Sequence, residues 1–283
     1  MNPKAHAART GLTRGLIEFR QMLTNASDMS FMLIMPGILL VVLYFQRNSE
    51  VEGTPLSLAV LSIPGVLGIM VAYLAMMSPA YSLAAEREDG TLLRMKALPH
   101  GMTGYVSGRV LGSVLESLVP MVLLLVPTLL LFDGVMSGGP TGWLLLPPMV
   151  LLGLLSSLPI GFIIGSLARN PRTIGGWGFL TTGGLAAISG IFFPIIMLPA
   201  WLQVLAQIFP VYWIGLGMRS IFLPDEAAAV EIGESWRTLE MLGVLGVWSI
   251  IGLALAPVVL RRMARHESGS AVEARRHEAA QRI

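Results

Sequence analysis

The stretch "EREDGTLLRMKALP", Glu86 to Pro99, carries six charges in fourteen residues. It lies between an apolar run ending near Ala85 and another beginning near Tyr105. Glu86, Arg87, Glu88 and Asp89 are placed to open a short helix, because the positive end of the helix dipole favours acidic side chains. Gly90 and Thr91 follow, then Leu92, Leu93, Met95, Ala97 and Leu98 give the helix an apolar side, and Pro99 stops it. The pattern predicts a short helix parallel to a membrane surface, with apolar residues that this chain cannot all bury. A solvated loop explains the charges but neither the leucine pair nor the proline stop. A docking helix that passes motion from a soluble partner explains both.

Composition supports the membrane setting. Of 283 residues, 54% are hydrophobic and 13% charged, against about 25% charged in a soluble domain. Charge is confined to short islands, and the apolar runs between them exceed the roughly 18 residues that read as a span. The fold class is therefore all-α, a polytopic membrane protein. The chain has no cysteine, which excludes disulfides and thiolate chemistry. The N-terminal segment lacks an apolar region beside its basic residues, so it is not expected to be a cleaved signal.

Six spans are expected, at about 29–45, 56–84, 106–132, 143–168, 173–193 and 239–260. Before them, 1–28 reads as an interfacial helix with Leu12, Leu16, Phe19 and Leu23 on one face. Ser27 or Asp28 is positioned to cap the first span. After the 29–260 core comes the basic tail 261–283. Lys4, Arg9, Arg14, Arg20, Arg87, Arg94, Lys96, Arg169 and Arg172 gather with the tail arginines on one side. Glu50, Glu52, Asp133, Asp225, Glu226, Glu231 and Glu234 dominate the other, where Arg47 and Arg237 also lie. The positive-inside rule then puts both termini in the cytoplasm. Pro194–Pro224 is apolar enough to cross, yet a crossing there would put the basic tail outside. Pro199 and Pro210 also cut it into pieces too short for about 30 Å of hydrocarbon. A re-entrant helical hairpin on the outer side meets both constraints.

Enzyme motifs are missing from the sequence. There is no GxxxxGK[ST] phosphate loop, no HExxH and no GxSxG. His6, His100, His266 and His277 lack metal-ligand spacing. "GFIIGSLAR", with Gly161 and Gly165, reads as helix packing through small residues. In the third span Gly104, Gly108 and Gly112 recur every four residues and leave one face open to a neighbouring helix. Glu116 lies on that face, one heptad after Arg109. A carboxyl group at that depth is expensive. It is either a pathway or gating residue, or a buried structural acid held by a hydroxyl or an arginine.

With these residues in place, "AAEREDGTLLRMKALPHGMTGYVSGRVL" resembles the segment after the second span in permease subunits of type-2 ABC transporters. Glu86, Arg87, Glu88, Gly90, Thr91, Leu92, Leu93, Pro99 and Arg109 occupy the matching positions. "SGIFFPIIMLPAWLQVLAQIFPVYWIGLGMRSIFL" is similar to the family's second signature through Ser189, Gly190, Phe193, Pro194, Leu198, Pro199, Trp201, Leu202, Pro210 and Arg219. By pattern it looks most like the drug-resistance and Nod-factor exporter branch. The resemblance implies one transmembrane domain over 1–283 in a bacterial cell membrane. It implies a second permease copy, identical or paralogous, and two copies of a separate ABC ATPase that bind ATP and Mg. The island would be the coupling helix. Phe193, Pro194, Pro199, Trp201 and Pro210 would form an outer gate. The cargo implied is amphipathic, a drug, lipid or glycolipid-like compound. No cofactor is expected in this chain, and no nucleic acid partner. A secondary transporter would need paired intramembrane ionisable residues and repeated halves; a scaffold would leave both signatures unexplained.

Overall fold

The computed structural model describes residues 3–49, 57–136, 139–168, 171–191 and 194–266. Phe193, Glu50, Glu52, Arg169 and the tail from 267 onward fall outside them. Ten α-helices follow one another: α1 Pro3–Thr24, α2 Ala26–Gln46, α3 Leu58–Glu88, α4 Thr91–Ala97, α5 Gly101–Leu131, α6 Gly139–Leu167, α7 Pro171–Ile188, α8 Ala200–Ile208, α9 Pro210–Phe222 and α10 Thr238–His266. The protein is all-α. Among the described residues five helices (α2, α3, α5, α6 and α10) are long and apolar enough to cross a bilayer.

Helix α3 is the axis of the bundle and packs against α2, α5, α6, α7 and α9. Its glycines and alanines let neighbours approach closely. Gly165 of α6 sits where an added Cβ would lie 2.9 Å from Ala80, and Gly161 lies against the Met76 carbonyl. The two small residues of "GFIIGSLAR" thus fit α6 onto α3. Pro64 and Pro79 in α3, and Pro147, Pro148 and Pro159 in α6, stay inside continuous helices. Neighbouring helices in a bundle relieve the backbone groups that a proline frees. Helix α2 is peripheral: Leu33, Ile34, Ile38, Val41 and Val42 are exposed, as lipid-facing side chains would be.

Several expected boundaries shift. Asn25, not Ser27 or Asp28, caps α2, its side chain accepting from the Ser27 N–H at 3.0 Å. An earlier cap brings Asp28 into the first turn, where its charge still suits the dipole. Helix α3 continues to Glu88, so Glu86–Glu88 form the last turn of the span instead of opening the island helix. Helix α5 starts at Gly101, a full turn before the expected Val106.

Helix α7 corresponds to the expected fifth span. It is 18 residues long and rich in glycine, with a lower apolar content than the other five. It begins just after Ala168, whose carbonyl accepts from Arg87. Beyond its end Ile191 touches Gly65 near the start of α3. Residues 65 and 87 of one helix lie about 33 Å apart at 1.5 Å per residue, so α7 runs the depth of the layer, antiparallel to α3. The apolar segment after it breaks at Phe209: α8 and α9 meet at 91°. Helix α9 is buried almost throughout, from Pro210 to Phe222, while α8 exposes Trp201, Val204 and Ile208.

Candidate functional site

One end of the bundle gathers the charged island, α1 and the first turns of α5. Asp89 closes α3, and Gly90 turns the chain through a left-handed conformation (φ 77°) that glycine adopts without strain. The Asp89 carboxylate accepts the Thr91 N–H at 2.7 Å, and Arg94 donates to the Thr91 hydroxyl at 2.8 Å. Leu92 is fully buried among Leu83, Tyr105, Val106, Leu158, Phe162 and Ala256. The apolar residues of the island are not all buried: Leu92 roots α4 in its own bundle, Leu93 is half-buried and Leu98 is exposed. Arg94, Leu98 and Pro99 face outward. Arg87 donates to the Ser166 and Ala168 carbonyls at 3.2 and 3.1 Å, tying α3 to the end of α6. On the far side Gly101 abuts the Met95 carbonyl, which closes the α4–α5 corner.

Beside the island runs an alternating chain of charges. Arg14 donates to Glu86 at 2.9 Å and to Glu18 at 2.6 Å. Arg109 lies 3.8 Å from Glu18 and donates to Glu116 at 2.8 Å. Ser78 donates to the other Glu116 oxygen at 2.5 Å. Glu116 therefore has both partner types that a structural acid was expected to need, a hydroxyl and an arginine.

Helix α1 reaches this chain through a glycine crossing. Gly11 lies against the Gly104 carbonyl, and Cβ atoms at Gly15 and Gly108 would each come within 2.5 Å of the opposing helix's carbonyl oxygen. The neighbour of the glycine face is thus the N-terminal helix. Gly112 does not join the crossing; a Cβ added there would meet Arg109 and Glu116, at 3.5 and 3.7 Å. Leu12, Leu16 and Leu23, on the face expected to lie in the membrane interface, are exposed, while Gly11 and Gly15 are buried against α5. Close helix approach selects for the smallest side chain, so glycine, not leucine, marks the contact.

This crossing gives a direct test. Ser107 donates to the Ala8 carbonyl at 3.1 Å, so cysteines at 8 and 107 should cross-link efficiently in this cysteine-free chain. Gly108→Leu should reduce that cross-link at least tenfold, and Gly108→Ala should reduce it less. Undiminished cross-linking in Gly108→Leu would show that α1 does not cross there.

The opposite end holds a second polar lock. Arg219, buried in α9, donates to Glu231 at 2.5 Å and to the Gly190 carbonyl at 3.1 Å. Arg237 donates to Gln207 at 2.7 Å and lies over the Trp213 ring, 4.9 Å from its centroid. Trp248 donates to the Ile208 carbonyl at 2.8 Å, at the α8–α9 corner. Pro194 and Pro199 precede short helical pieces, Pro210 opens α9, and Trp201 is exposed. The sequence marked Glu231 and Arg237 only as outer-side loop charges, and did not single out Gln207. The available signal was Arg219 itself, since a charge inside an apolar run needs a partner.

Comparison with known proteins bears on all of this. Residues 44–258 match the model of the ABC-2 family transporter protein family. The linearmycin resistance permease protein LnrN of Bacillus subtilis (strain 168) is 26% identical over 179 residues, 63% of this chain and 43% of that relative. The chain thus matches less than half the length of this relative. The family match covers α3, the island, α5, α6, α7, the α8–α9 elbow and most of α10, and with it this multi-pass membrane chain belongs to the ABC-2 transporter family.

Proposed function

We propose that the chain is one permease domain of an ATP-driven exporter in a bacterial cell membrane, with both termini cytoplasmic. It would pair with a second permease copy and two separate ABC ATPase subunits that bind ATP and Mg. Its cargo would be an amphipathic or hydrophobic compound leaving the cytoplasm or inner leaflet. The carrying observation is α4: a seven-residue helix rooted by Leu92 and packed on α3, α5 and α10, with Arg94 and Leu98 turned outward. A helix held this way passes a push from outside directly to three long helices. The α8–α9 elbow at the other end, locked by Arg219 and Glu231, suits an outer gate around Pro194, Pro199, Trp201 and Pro210.

Copurification tests the pairing. An ABC ATPase should be retained by the wild-type chain in detergent and lost from an Arg94→Glu, Leu98→Asp variant that still inserts. Orientation is checked in the same preparation. A single cysteine at Glu226, which is exposed, should react with an external impermeant maleimide in intact cells. Cysteines at His6 or Arg94 should react after permeabilisation. External labelling at Arg94 would invert the topology and end the proposal.

A further inference from the structure

Helices α6 and α10 pack along one another, yet each meets α5 only sparsely. Between them lies a groove of about 490 Å³. Val106, Val110 and Val114 form its floor, at the four-residue spacing of one helix face. Leu151 of α6 and Leu253 of α10 form its far wall, and Leu12 of α1 stands at its mouth. Leu151 and Leu253 are 48% and 44% exposed, so the groove opens to the bilayer. Valine is short and stiff at χ1, so the floor cannot fold over to fill the space. The groove's polar side chains are Thr103 and Ser107, both at the α1 end. Ser107 donates to the Ala8 and Gly104 carbonyls, whereas the Thr103 hydroxyl makes no hydrogen bond among the described residues.

The dimensions select the occupant. From Thr103 to Val114 the groove follows α5 for about 16 Å at 1.5 Å per residue. That is close to half of the roughly 30 Å of hydrocarbon in a bilayer, or one leaflet. A helix lying in it, about 10–12 Å across, would fill more than roughly 1,200 Å³ over that length. A second protein segment therefore does not fit, and a single hydrocarbon chain does. We infer that the groove holds one acyl chain of a membrane phospholipid, from the leaflet at the island end, with the lipid's ester carbonyl accepting from the Thr103 hydroxyl. Lipid tails are as apolar as leucine, so the hold comes from packing and from that hydrogen bond. An empty groove would forfeit those contacts outright. Val106 also belongs to the cluster that buries Leu92, so the bound chain packs at the root of α4. The binding depends on the membrane setting alone and not on the exporter reading.

The probe is a phosphatidylcholine with a photoreactive diazirine at the end of one acyl chain, mixed into phosphatidylcholine nanodiscs around the purified chain. Adducts mapped by mass spectrometry should be at least fivefold more frequent at Val114 and Leu151 than at Leu255. Leu255 is the control because it is 50% exposed on the opposite face of α10 from Leu253, at nearly the same depth. Moving the diazirine next to the ester should shift the adducts to Thr103 and Ser107. Val110→Trp fills the groove from its floor and Leu253→Trp from its wall. Each should cut the groove adducts at least tenfold and leave labelling at Leu255 unchanged. Leu253 is half exposed and accepts a larger ring, so it carries the test if Val110→Trp misfolds. Thr103→Val keeps the shape without the donor, and should lower lipid retention in detergent a few-fold by native mass spectrometry. Even labelling of the groove and Leu255 would overturn the inference, as would groove adducts undiminished in the folded tryptophan variants. Disulfide capture of two chains through Leu253→Cys would put a second copy in the groove and overturn it as well. A failure of groove labelling leaves the permease proposal standing, and a failed ATPase copurification leaves this one standing.

Discussion

Arg109→Leu is expected to be the most damaging single substitution at the island end of the bundle. Arg109 is 7% exposed and donates to Glu116 at 2.8 Å, so removing it strands the Glu116 carboxylate, while Glu18 keeps Arg14. Leaving one member of a buried pair unpaired costs about 3–5 kcal/mol, a large share of the roughly 5–15 kcal/mol that holds a domain together. The variant should be recovered mainly as aggregate on size-exclusion chromatography in mild detergent, and should be cut rapidly by protease. An Arg109→Leu, Glu116→Leu double variant should regain part of the monodisperse fraction, because the stranded charge is gone. Glu116→Gln keeps the shape and the Ser78 contact, so it should fold and still support export. Normal assembly with export abolished in Glu116→Gln would instead place the acid in the transport cycle. A well-folded, protease-resistant Arg109→Leu would show that the charge chain contributes little to stability.

The second large effect concerns α4 and separates its two leucines. Leu92 is fully buried, and truncating a core leucine costs about 2–5 kcal/mol. Leu92→Ala should therefore lower the thermal midpoint of the purified chain. Leu93 is only half-buried, and Glu88 closes the last turn of α3. A Glu88→Arg, Leu93→Asp double variant should insert and remain monodisperse while export falls at least tenfold, because a docking surface uses charge and packing together. The ATPase partner should then hydrolyse ATP at a rate that no longer responds to the permease. Unchanged export in a well-expressed double variant would remove α4 from the coupling role. A loss of folding equal to that of Leu92→Ala would show that Leu93 supports the bundle and not a partner.

Much of the architecture is readable from composition because the bilayer is a severe filter. Every backbone polar group in hydrocarbon must be paired, so an 18-residue apolar run resolves to a helix. Hence the spans, the proline-cut elbow after residue 194 and the short island helix follow from residue order. Side-chain pairings do not follow in the same way. Arg14 and Glu86 are 72 positions apart, and Ser78 and Glu116 are 38. Arg219 and Glu231 are separated by 12, across a turn whose path the sequence does not specify.

The N-terminal helix shows the division most clearly. Its leucine stripe has the period of an amphipathic surface helix, and periodicity assigned the leucines to the membrane interface. What periodicity did not show is the contact with α5, made by Gly11 and Gly15, because Gly104 and Gly108 present bare backbone that only another bare backbone can meet. The same holds at the island, where residue order gave a charged turn with a proline stop. Whether Glu86 belongs to the span or the turn, and which leucine is anchored, depended on where α3 stopped finding partners. By itself the sequence determined which segments are helices and which of them can cross a membrane, since both depend on local composition and the solvent. The tertiary structure decided which faces meet and which charges pair, since those depend on distances between residues far apart in the chain.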